Sequence, residues 1–172
     1  MRFELRIAEA LPLDDSSVDL VWCRDVLILV AALDKPYAEL RRVLRQNGRV
    51  LMYQSSFATD RLERGEAEWL WKTSGVVPTS AQPDRTDAAI AAAGLQVDER
   101  YRCRYRVGGM VGGTDRQKEC RLLHAARLLR APERYVAQFG QAAYDIMLGD
   151  CLWHVYHMIG KLGGRVYLLS RH

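Results

Sequence analysis

Polar and apolar residues alternate over Phe3-Glu4-Leu5-Arg6-Ile7, which predicts a short, half-exposed strand. Pro12 to Ser17 reads as a polar turn, and Val18-Asp19-Leu20-Val21-Trp22-Cys23 as a second strand. The apolar run Val26–Val30 fits strand or helix, because periodicity cannot separate the two over five residues. Asp34 ahead of Pro36 is a helix start. Tyr37, Leu40, Val43 and Leu44 then recur at three- and four-residue steps, with Glu39, Arg41, Arg42 and Arg45 on the other side. Asn47-Gly48 is expected to stop this helix, and Val50-Leu51-Met52-Tyr53-Gln54 is apolar enough for a central strand of a parallel sheet. Strand, turn, strand, helix, strand is the signature of an α/β sheet.

Further on, Arg61–Trp71 has helical character, and the Ala-rich stretch Asp84–Ala93 predicts a helix closed by Gly94. Gln96–Arg106 alternates like a strand. Gly108–Gly113 reads as a flexible bend, since it lacks the strand-to-helix context of a phosphate loop. Thr114–Lys161 is helical, opening on a weak Thr114/Gln117 capping box. Pro132 starts a second helix, expected to bury Tyr135, Val136, Phe139, Ala143, Ile146 and Met147. Leu152, Val155, Tyr156 and Ile159 continue the stripe until Gly163-Gly164, and Val166–Leu169 is a closing strand. The expected organisation is one domain: an α/β core part over 1–107, a helical lid over 114–161 and a closing strand over 163–170.

At 172 residues the chain can bury a core without staples. Its net charge of +4 comes from scattered Arg residues and not from a basic run, so a solvated surface is favoured over a nucleic-acid face. Cys23, Cys103, Cys120 and Cys151 form no CxxC pair and read as buried free thiols of a reducing cytoplasm. No apolar run reaches the length of a membrane span, and Asp14 and Asp15 stand where a signal peptide is apolar.

Three strings, taken in order, resemble the class I S-adenosylmethionine-dependent methyltransferases of the ubiquinone-biosynthesis type. They are Ala8-Glu9-Ala10-Leu11-Pro12-Leu13, then Val18-Asp19-Leu20-Val21-Trp22-Cys23-Arg24-Asp25-Val26-Leu27, then Leu40-Arg41-Arg42-Val43-Leu44-Arg45-Gln46-Asn47-Gly48-Arg49-Val50-Leu51. The resemblance implies a partial Rossmann-like sheet, the equivalents of strands 3 to 7, with a helical lid inserted before the last strand. It implies methyl transfer from S-adenosylmethionine to a small-molecule acceptor. In that family the cofactor lies across the carboxyl ends of the strands, held by a Gly-rich turn, a ribose-binding acid and an adenine-binding Asp. Here the chain begins at the third-strand equivalent, so the turn and the ribose acid are missing, and Ile7 stands at the adenine position. The family's Glu-His after "DVL" is replaced by Ile28-Leu29.

By this resemblance Ala8, Glu9, Cys23, Arg24 and Asp25 are the cofactor-side candidates; a helix cap and surface charges explain the last three equally well. Asp150, Cys151, His154 and His157 invite a metal, but three-residue steps rotate them through roughly 120°, too far for one tetrahedral site. No metal is expected. His154 and His157 are candidate general bases, and Asp150, four residues before His154, is placed to orient its imidazole. Ordinary surface histidines remain the plainer account. His124 is expected to be semi-buried. Trp69, Trp71, Tyr144, Trp153, Tyr156 and Tyr167 fit either an acceptor pocket or core. Two functions stay open: a methyltransferase-like protein without the glycine motif, or a non-catalytic subunit of the same fold. The family strand order 3-2-1-4-5-7-6 would leave the strand at Leu20–Cys23 as an apolar edge. It would be closed by the N-terminal strand, by a second copy or by a full-length relative.

Overall fold

The computed structural model describes residues 3–103 and 115–171. In chain order these form β1 (Val18–Arg24), a 3₁₀ turn (Leu27–Leu29), α1 (Asp34–Val43), β2 (Leu44–Ala58), α2 (Arg64–Ser74) and α3 (Pro83–Ala92). β3 (Gln96–Cys103), α4 (Asp115–Arg130), α5 (Pro132–Phe139), α6 (Gln141–Met158) and β4 (Leu162–Ser170) follow. The Gly108–Gly113 bend, Thr114 of the capping box and the last three residues of the expected 96–106 strand lie outside the described residues. Two compact units divide the chain. One holds Met1–Phe57, Val77–Cys103 and Gly164–His172, and the other holds Ala58–Val76 and Arg104–Gly163.

In the first unit the sheet order is β1-β2-β4-β3. β1 runs parallel to β2, with Val21 opposite Val50 and Cys23 opposite Met52, and β3 is antiparallel to β4. The start of β2 meets the end of β4, where the Asn47 N–H donates to the Arg171 carbonyl and the Arg171 N–H to that of Gly48. This is the order expected for the equivalents of strands 4, 5, 7 and 6. Cys23, Val50, Met52, Tyr167 and Leu169 on one face pack against Tyr37 and Leu40 of α1 and Ile90 of α3. The face is apolar at every second residue of β1 and β2, which is why a parallel pair forms there.

Three expectations are corrected. Phe3–Ile7 forms no strand; among the described residues its one bridge is Ile7–Ala10. Alternation suits a strand but does not supply a ladder, and in the family order two further strands separate this segment from β1. The first helix stops at Val43, not at Asn47-Gly48: Leu44 is already extended at φ −69° and ψ 136°. Its last carbonyls are taken up instead by the Arg171 guanidinium, which donates to the carbonyls of Arg41, Arg42 and Leu44. Asn47-Gly48 bends β2, with Asn47 left-handed at φ 64°. Finally, the helix beginning at Pro132 is broken by Gly140 at φ 83°, and Phe139 and Ile146 come out exposed.

α1 also fixes the loop before β1. Glu39 accepts from the Leu11 N–H and from Arg42, and Arg42 donates to the Leu11 and Leu13 carbonyls and to Asp15. Arg42, ion-paired with both Glu39 and Asp15, thus holds the Leu11–Asp15 turn.

In the second unit α2 starts with a reciprocal capping box between Glu63 and Glu66 and ends at left-handed Gly75. α6 is apolar on all sides because α2 packs on it as well as α4 and α5. Gly149 makes the α2 contact possible, since a Cβ there would meet the Thr73 hydroxyl at 2.6 Å. Ala125, Leu128, Tyr144, Leu148 and Cys151 form this unit's core. Cys120 and His124 on α4 are exposed, against the expectation of burial, because they face away from that core. No helix among the described residues is long and apolar enough to cross a membrane.

The Glu39 carboxyl is held below its ordinary range by Arg42 first and by the Leu11 N–H second. A depressed acid contributes stability that is full above the unfolded carboxylate range, about pH 4–5, and is lost as pH falls through the lowered value. Glu39→Gln should therefore remove part of the acid-side loss of stability. Denaturant melts of both proteins from pH 7 down to acid will show this as converging midpoints at low pH.

Candidate functional site

The end of β1 turns sharply. Asp25 takes a left-handed conformation at φ 52°, its N–H donates to the Tyr53 carbonyl, and Oδ1 accepts from both the N–H and the hydroxyl of Ser55 at 2.7 and 2.6 Å. An Asp tolerates this backbone because its short carboxylate finds local partners. The result is a pin between the carboxyl ends of β1 and β2, at the crevice where open α/β sheets take ligands. Ser55 is buried, so the pin faces inward. Sequence reasoning missed Ser55, because nothing local to it signals a partner thirty residues away.

The neighbours of Asp25 differ in what they offer. Arg24 is exposed and places its guanidinium 5.8 Å from the centre of the Tyr53 ring, with its Nε 3.9 Å from the Asp25 carboxylate. Cys23 is buried in the core, and burial pushes its thiol up to about 11, so it is protonated at neutral pH and inert as a nucleophile. Ala8 packs against the same core cluster, and Ala8 and Glu9 occupy the turn closed by the Ile7–Ala10 bridge. Ile28 is buried and Leu29 exposed in the 3₁₀ turn after β1. Ile7 is exposed and apolar. Tested against S-adenosylmethionine, these groups do not make a cofactor cradle. Asp25 commits its Oδ1 to Ser55, and neither a ribose acid nor a glycine turn stands among these residues.

In the second unit, His154 Nδ1 lies 2.8 Å from the main-chain carbonyl of Asp150 and 4.0 Å from its carboxylate. The Asp150 carboxylate is engaged by Arg121. Asp150 therefore holds the His154 ring through its backbone, while its side chain ties α6 to α4. His154 is half-buried and His157 buried, and the Trp153 ring meets both edge-on, at 4.8 and 4.4 Å between centroids. The suggested aromatic group does not assemble in one place: Tyr167 belongs to the sheet core, and Tyr144 to the helical core. Trp71 is buried as well. Lys161 and the Tyr156 hydroxyl both donate to Glu66, joining α2 to the end of α6. No group of three or more His, Cys, Asp or Glu among the described residues is arranged to hold a metal ion.

Asp25→Ala should strand the buried Ser55 N–H and cost about 1–3 kcal/mol, whereas Asp25→Asn keeps an acceptor and a residue that tolerates positive φ. Thermal unfolding of the two variants beside the parent will order them, with the alanine protein least stable.

Comparison with known proteins places this geometry. The family described as a methyltransferase domain matches residues 1–52. No curated protein matches the chain. Among solved structures, the [4+2]-cyclase SpnF superposes with a TM-score of 0.65 at 16% identity, over 98% of this chain and 56% of its own. The cyclopropane synthase MmaA2 of Mycobacterium tuberculosis gives 0.59 at 13%, over 91% and 56%. Phosphoethanolamine N-methyltransferase 2 of Haemonchus contortus, in complex with phosphomonomethylethanolamine and S-adenosylhomocysteine, gives 0.57 at 18%, over 95% and 36%. The chain spans about half the length, or less, of these structures. It carries the Rossmann-like α/β fold of the S-adenosylmethionine-dependent methyltransferases, with the family match confined to its first 52 residues.

Proposed function

We propose that this chain is the acceptor-side part of a small-molecule methyltransferase of the S-adenosylmethionine-dependent type, acting in the cytoplasm, and that the residues holding the cofactor lie outside it. The observation that carries the second half is the Asp25–Ser55 pin, which uses the crevice carboxylate for structure. Ala8, Glu9, Cys23, Arg24 and Asp25 then border the cofactor side without gripping it, and Arg24 is the exposed cation among them. α4, α5 and α6 form the helical unit that carries the acceptor-side candidates. His154 is the candidate base there: its Nδ1 bonds to the Asp150 carbonyl, which fixes the ring and leaves Nε2 for a substrate proton. His157 packs behind Trp153 and positions the same surface.

Loss of several polar contacts, at about 1–3 kcal/mol each, lowers affinity by orders of magnitude. Calorimetric titration of the chain with S-adenosylhomocysteine should give no low-micromolar binding; such binding would overturn the proposal. If the cofactor-binding part is supplied, His154→Ala should lower turnover by about 10²–10⁴-fold while KM changes little, as for loss of a general base. Unchanged turnover would remove His154 from the mechanism.

A second reading has its own support. The SpnF structure is described as a cyclase, and a fold hosts many functions. A cofactor-free subunit that binds a partner or ligand fits the spent carboxylate equally well. It predicts that the methyl donor never binds, whatever is added.

A further inference from the structure

We draw no further inference here: the strongest candidate, the side-chain cluster of Gln54 on β2 with Thr86 and Asp87 in the first turns of α3, holds two polar atoms without a hydrogen-bond partner among the described residues, Gln54 Nε2 and Asp87 Oδ1, but both are sealed from solvent and nothing in the structure shows what would bind them.

Discussion

The parallel pairing of β1 with β2 is the contact on which the first unit depends. It sets the alternation by which Val21 and Cys23 share a face with Val50 and Met52, and so decides where α1 and α3 pack. Parallel ladders are slightly weaker per residue than antiparallel ones and rely on burial. The Asp25–Ser55 pin compensates at the carboxyl end, where the ladder would otherwise fray. At the opposite end, Ser16 and Ser17 donate their N–H groups to the carbonyls of Arg42 and Val43, so β1 is tied down on both sides of its length.

That same pairing brings Asp25 beside Ser55 at the crevice. A carboxylate at the end of a sheet strand is well placed for a ligand hydroxyl, and the sequence around it looks like that of a cofactor site. Its two hydrogen bonds to Ser55 are short and inward. Turning the group outward would leave a buried N–H and hydroxyl without their acceptor, so Oδ1 is held for structure. The helical unit is built in the opposite way. Asp150 gives its carboxylate to Arg121 across two helices, and its carbonyl to His154, so fixing the ring does not require spending the side chain.

Much of the framework was legible in the sequence where a segment carries its own period. β1, α1, α3 and β4 follow from apolar spacing and from local stops such as Gly94. What was not legible depends on distant partners. Phe3–Ile7 alternates as a strand should but has no neighbour to bond. The end of α1 is chosen by Arg171, not by Asn47-Gly48. Asp25 reads as a ligand-binding acid until Ser55 is brought beside it by thirty residues of intervening chain. His154 and Asp150 share a helix face as their spacing requires, but spacing cannot say that Arg121 claims the carboxylate. Local pattern sets the elements; partners far along the chain decide what each polar group does.

Arg171 has a kinetic consequence. Its guanidinium bonds the carbonyls that end α1, and also the Ser16 hydroxyl, across 127 to 155 residues of sequence. β4 likewise follows the other described strands in sequence, yet it lies between β2 and β3. β1, α1 and β2 are made before β4, and until β4 follows one flank of β2 is unfilled. Closing loops of that length costs entropy before any native contact repays it, and contacts of such long range slow folding in general. Insertion of β4 between β2 and β3 joins segments from both ends of this unit's sequence into one sheet.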